Sequence, residues 1–214
     1  PGILIGHNVA VGTAALEEQS ALCGEYARRL GAFPRILWYI NGDYQLRDLD
    51  KEPVQQRWRR WLEERYATPA ALAAAWNLST PPAAWDAIAF PPQPSPAWDS
   101  APHVDAMRFR THLAASWNSA HVAAIRAEEK HRPITSEYYS TPFDGMDMRL
   151  TIDGQDLANI GFFAAPEEDL DVLPIRIRMN DMRAQGKSVG LGEYGVKTHP
   201  AWTAENGATG YHLV

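Results

Sequence analysis

The stretch GLGEYG, residues 190–195, admits two chemistries. Gly190, Gly192 and Gly195 satisfy the G-x-G-x-x-G string of a dinucleotide-binding turn, while Glu193 sets a carboxylate just after a short apolar run. A phosphate cradle needs a helix directly after its glycines, whose N-terminal N–H groups hold the pyrophosphate, and an acid about 20 residues on for the ribose. Here VKTHPAW follows, Pro200 is close by, and the position for the ribose acid lies past Val214. A glutamate inside the turn would also repel phosphate. The residues favour a carboxylate at the C-terminal end of a strand, with Gly192 and Gly195 leaving room for a bulky ligand, and such chemistry requires a second acid.

Other chemistries lack their residues. No H-E-x-x-H occurs, and His112 and His121 are too far apart to sit on adjacent helical turns, so catalysis without metal or other cofactor is expected. Cys23 is the single cysteine, which excludes an internal disulfide framework and a cysteine-based zinc site. A Schiff-base aldolase needs a lysine on a strand, whereas Lys51, Lys130, Lys187 and Lys197 fall in expected loops, helix ends or strand edges. No G-x-S-x-G elbow is present.

The elements that must hold Glu193 follow from periodicity. ILIGHNVAV (3–11) reads as a strand covered on both faces, TAALEEQSALCGEYARRLGAFP (13–34) as a helix with Thr13 as N-cap, and RILWYINGDY (35–44) as a second strand. A helix over 53–77 carries Trp58, Trp61, Leu62, Arg65 and Tyr66 on one face and breaks at Thr68-Pro69; Trp58, Trp61 and Trp76 belong to the helix core. Residues 81–102 hold seven prolines and read as a long loop. The longest helix covers 103–132. PITSEYYS and ANIGFFAAP (158–166) are further strands, a helix spans about 171–185, and KSVGLGEYG closes the series. Five strands alternating with helical connections predict βαβ units on a parallel sheet. A complete (β/α)₈ barrel takes roughly 250 residues, so 214 residues on five strands predict an α/β fold that is part of a TIM barrel, with an open doubly wound sheet as the competing architecture.

One domain over 1–214 is expected, with no linker or internal repeat. The formal net charge of −6 leaves no basic face for nucleic acid. No stretch approaches the ~18 apolar residues of a membrane span, and the first residues lack a signal peptide's basic region and long apolar core. The expectation is a soluble protein without membrane or nucleic-acid partners, its compartment left open.

Several stretches together resemble the retaining (β/α)₈ glycosidases, most closely the barrel of the glycoside hydrolase family 42 β-galactosidases. WRRWLEERYATPAALAAAWN (58–77) looks like that family's WL-x-x-RY-x-T…L-x-x-AW element, and WDAIAFPPQ (85–93) is similar to its W-x-x-I-x-PP continuation. RPITSEYY (132–139) resembles the fifth barrel strand, GLGEYG the seventh, and ILWYINGDY the fourth. The resemblance thus implies strands three to seven, as in a fragment of a longer enzyme, with a carbohydrate as substrate and homo-oligomers possible for the full-length protein. In the family the fourth strand ends in W-Q-x-x-N-E, whose Asn binds sugar and whose Glu is the acid/base. This chain aligned without a gap has Asp43 at the acid's position and Asn41 one place early.

The resemblance implies retaining hydrolysis of a β-linked, galactoside-like sugar, for which two carboxyl groups stand about 5–5.5 Å apart. Glu193 is the expected nucleophile and Asp43 the acid/base, with an Asx-turn role in NGD as the alternative for Asp43. Glu137 is the reserve acid or a substrate hydrogen-bonding group. Asn41, His7 and Asn8 are candidates for holding sugar hydroxyls. Tyr138 or Tyr139 would orient the nucleophile, alternation along the strand letting only one of them face inward. Trp202, with Trp85 and Trp98, is a candidate for stacking on a pyranose. The alternative from a different class is a non-catalytic carbohydrate-binding barrel with a degraded acid/base site.

Overall fold

The computed structural model describes residues 2–9, 12–91, 100–138, 145–163 and 172–195, the side chains of 2–9, 41–45, 163, 172 and 193–195 excepted. Five strands, β1 (Gly2–Val9), β2 (Leu37–Leu46), β3 (Ile134–Tyr138), β4 (Leu157–Phe163) and β5 (Ser188–Gly195), form one sheet. They lie in chain order and every neighbouring pair is parallel. A doubly wound sheet reverses its strand order part-way. This sheet does not. Parallel strands added always on the same side by right-handed crossovers carry all their helices on one face, which is the construction of a barrel wall.

The crossovers are α1 (Thr13–Leu30), α2 (Glu52–Tyr66), α3 (Pro69–Trp76), α4 (Ala101–Glu128), α5 (Met148–Thr151) and α6 (Val172–Arg183). The expected break at Thr68-Pro69 separates α2 from α3: Thr68 Oγ1 accepts the Ala71 N–H at 3.1 Å, and Pro69 opens the new helix, where its missing N–H costs nothing. Thr13 is not the cap of α1. Gly12 holds that position and makes no side-chain cap bond. Within the proline-rich stretch a 3₁₀ turn forms at Trp85–Ala87, and α4 begins at Ala101, two residues ahead of expectation.

The core lies between the sheet and this helix layer. Ile36, Trp38, Ile40, Ile134, Ala158 and Ile160 meet Cys23 and Ala27 of α1 and Leu113, Trp117 and Ile125 of α4, all buried. Trp117 Nε1 donates to Gln19 Oε1 at 2.9 Å, tying α4 to α1. Burial also pushes the Cys23 thiol up to about 12, so it is an inert part of this packing. A second, aromatic nucleus joins α2, α3 and α4: Trp58 is fully buried, stacks on Trp61 at 5.5 Å and on Trp76 at 6.3 Å, and meets Phe90 and Phe109. Buried Asp105 of α4 accepts from Tyr66 and, at 2.9 Å, from Trp76 Nε1, with Arg65 and Arg108 within 3.5 Å. The RY…AW element therefore closes on a structural carboxylate within the helix layer.

Candidate active site

Strand alternation sorts the sheet into two faces. On the helix side, Trp38 Nε1 donates to Glu129 Oε2 at 3.3 Å and Ser136 Oγ donates to Asn118 Oδ1 of α4 at 3.1 Å. On the other side stand Tyr39 of β2, Thr135 and Glu137 of β3, Asn159 of β4 and the glycines of β5. Asn159 Nδ2 donates to Thr135 Oγ1 at 3.2 Å, and both residues are buried. A β-carbon placed on Gly190 would lie 3.1 Å from Asn159 Oδ1; one placed on Gly192 would lie 2.7 Å from Asn159 Cβ and 3.0 Å from Tyr39 Oη.

The Tyr39 contact measures the curvature of the sheet. In a flat sheet β2 and β5 would be three strand spacings, roughly 14 Å, apart, beyond the reach of a tyrosine. Here Tyr39 touches β5 because the strands curl about this face. The hollow of a barrel is therefore already formed by five strands.

Among the described residues the sheet has two breaks in register, one spanning Asp43 and one immediately before Glu193. Between β1 and β2, Gly6 pairs with Asn41 and Asn8 with Gln45, so four steps along β2 span two along β1, and Asp43 lies in the excess. Between β4 and β5, Ile160 pairs with Leu191 and Gly161 with Glu193, which leaves Gly192 over. A bulge re-aims the residues beyond it and is enriched beside active sites. Both lie in the C-terminal halves of parallel strands, the end at which βα loops build barrel active sites.

The other candidates are distributed as follows. Glu137, at 4% exposure, lies near the C-terminal end of β3 opposite Asn159 in the ladder. Tyr138 is the tyrosine of its pair that does not face the hollow: its hydroxyl is 3.1 Å from both Thr151 Oγ1 and Gln155 Nε2 on the helix side. Burial pushes this phenol up to about 12, so Tyr138 remains a neutral structural donor and acceptor. His7 and Asn8 lie on β1, and Asn41 pairs in register with Gly6 beside the irregular stretch of β2. Tyr139, Trp98 and Trp202 lie outside the described residues. Trp85 is half-buried against the core, in the 3₁₀ turn.

Sequence reading missed Tyr39, Thr135 and Asn159. One signal for Asn159 was present: a single amide in the otherwise apolar strand LANIGFF, where a buried polar group requires a purpose. Among the described residues no cluster of three or more His, Cys, Asp or Glu is placed to hold a metal ion, and no helix is long and apolar enough to cross a membrane.

A family model described as glycoside hydrolase family 42, β-galactosidase, matches residues 9–206. The chain belongs to that family. Among curated proteins this family 42 chain is 23% identical over 133 residues to the β-galactosidase LacZ of Lactobacillus acidophilus, a match covering 57% of the chain and 20% of its relative. Among solved structures it resembles the β-galactosidase of Rahnella sp. R3, with a TM-score of 0.72 and 22% identity over 86% of this chain and 28% of that one. The β-galactosidase of the psychrophilic Marinomonas ef1 gives 0.71 and 19%, over 87% of this chain and 32% of that one. At these identities the likeness is one of fold: the family 42 chain has the architecture of part of a TIM barrel and spans about a third or less of these relatives.

Proposed function

We propose that the protein is a glycoside hydrolase that cleaves a β-linked, galactoside-like sugar by double displacement, with Glu193 as nucleophile and Asp43 as acid/base. The reading is carried by the two register breaks of the sheet, which fall at these two acids, on strands that Tyr39 brings together across the hollow. Retention needs one carboxylate ionised to attack the anomeric carbon and one protonated to release the aglycone, about 5–5.5 Å apart. Asp43 is one methylene shorter than the family's glutamate, and the extra residues of β2 around it supply backbone to make up the reach.

In the first step Glu193 forms a glycosyl ester as the acid protonates the leaving oxygen. In the second, the same acid, now a base, takes a proton from the water that hydrolyses the ester. Asn41, His7, Asn8, Glu137, Tyr139 and Trp202 are the proposed sugar contacts.

Glu193→Gln and Asp43→Asn are expected to lose at least ~10²-fold in turnover of an aryl β-galactoside. A Glu193→Gln protein with undiminished turnover refutes the reading. Sugar binding seen by calorimetry without any turnover replaces it with a carbohydrate-binding role.

A further inference from the structure

We infer that Asn159 of β4 and Tyr39 of β2 are positioning residues, which hold the Gly192 bulge and through it fix Glu193 for attack on an anomeric carbon. The inference rests on the assignment of Glu193 as nucleophile and adds the groups that aim it.

The glycines of GLGEYG are explained by clearance. Real β-carbons essentially never approach a heavy atom within 3.0 Å, yet one on Gly192 would stand 2.7 Å from Asn159 Cβ, 3.3 Å from its Cγ and 3.0 Å from Tyr39 Oη. The backbone of β5 at the bulge is therefore laid directly on these two side chains. Asn159 is not free to give way. It is clamped by its Nδ2 bond to Thr135 Oγ1, itself fully buried, which turns Oδ1 towards Gly190. Tyr39 stands on a strand whose flanking residues, Trp38 and Ile40, are fully buried.

Each choice is unfavourable for stability alone. A glycine inside a strand weakens it by roughly 0.5–1 kcal/mol, and a buried amide is costly unless its hydrogen bonds are met. Two glycines and a buried amide meet at one point of a layer that aliphatic residues would fill more cheaply. That point immediately precedes Glu193. A strained or costly local choice that coincides with the reacting group is the mark of positioning. The bulge sets the course of the backbone that carries Glu193, and the Asn159–Tyr39 pair sets the bulge.

The test compares Tyr39→Phe, Asn159→Ala and Gly192→Ala with the parent in the intact protein. The readouts are kcat and KM on an aryl β-galactoside, and the rate at which an activated 2-deoxy-2-fluorogalactoside esterifies Glu193, followed by mass spectrometry. Thermal unfolding identifies variants that fold. The expected result is a kcat lowered roughly 10- to 100-fold with KM changed little, and esterification slowed in parallel, because a misplaced nucleophile loses reactivity before affinity. Tyr39→Phe keeps the ring and decides the matter should Gly192→Ala fail to fold. Parental kcat and esterification rates in folded Tyr39→Phe and Asn159→Ala overturn the inference. If Glu193→Gln is inactive in the same assays, only the positioning claim falls; if Glu193→Gln remains active, or the parent has no turnover, the nucleophile assignment falls and takes this one with it.

Discussion

Gly161 of β4 and Glu193 of β5 stand opposite one another in the ladder, although their predecessors do not: Gly192 is left over after Leu191 has paired with Ile160. An extra residue bends the strand that carries it and increases its local twist. Deleting Gly192 would restore even pairing and leave Glu193 opposite Gly161, as it is now, but without the bend that precedes it. Turnover is then expected to fall by at least ~10²-fold, towards the level of Glu193→Gln, because a displacement of about 1 Å costs that much at a reacting group. Circular dichroism should keep its parental shape, since the ladder itself is preserved. A deletion variant with parental kcat would show that the bulge does not aim the carboxylate.

Asp105 predicts a stability effect with no catalytic counterpart. Its carboxylate is 1% exposed and joins Tyr66, Trp76, Arg65 and Arg108. Truncation leaves a phenol and an indole N–H without their acceptor in the aromatic nucleus. Asp105→Ala is expected to cost on the order of 3 kcal/mol in urea unfolding, and Tyr66→Phe about 1 kcal/mol. The loss should change little with added salt, because the acid is buried; a cost that vanishes in high salt would show a surface ion pair instead.

How much of this was legible in the chain depends on whether the cause was local. Strand and helix boundaries came within a few residues of those observed, because β-branched runs, Gly31 and the Thr68-Pro69 break act on their own segments. The aromatic face of Trp58, Trp61 and Tyr66 followed from helical spacing alone. The one-turn helix α5 was not legible, since four residues show no period and its Asp147 cap follows the turn-like pair Asp144-Gly145. The bulges at Asp43 and Gly192 were invisible for a deeper reason. Register is a relation between two strands, and a single strand's sequence contains only half of it. Tyr39 was passed over likewise: it acts on β5, some 150 residues further along the chain.

Glu129 predicts an acid limb of stability. Burial would raise its carboxyl, but backbone N–H bonds from His131 and Arg132, the Trp38 indole and the Arg132 charge outweigh burial and hold it below the ordinary 4.5. A depressed folded-state value means that the unfolded chain binds the proton more readily. Its contribution is therefore complete above the ordinary carboxylate range and is lost as pH falls through the folded-state value. Glu129→Gln is expected to lower stability at neutral pH by about 1–3 kcal/mol and to flatten the curve below pH 4.5. Denaturant melts at pH 7, 4.5 and 3 check both; an unaltered slope below 4.5 would assign the acid limb to other carboxylates.

Glu137 bears on a prediction of stereochemistry. It is buried on the face that carries Thr135 and lies opposite Asn159, one strand nearer to Glu193 than Asp43 is. Were it the acid partner, the pair would be expected at ~6.5–9.5 Å, with a water between acid and sugar and an inverted product. Were it a sugar contact, the product would keep its configuration and the loss on mutation would fall on binding. The second outcome is expected: the first-formed sugar, read by proton NMR before mutarotation, should be the β-anomer. Glu137→Gln should lower kcat/KM about 10-fold, mainly through KM. An α-anomer released at the first turnover would exchange the roles of Glu137 and Asp43, making Glu193 a base that activates water rather than a nucleophile.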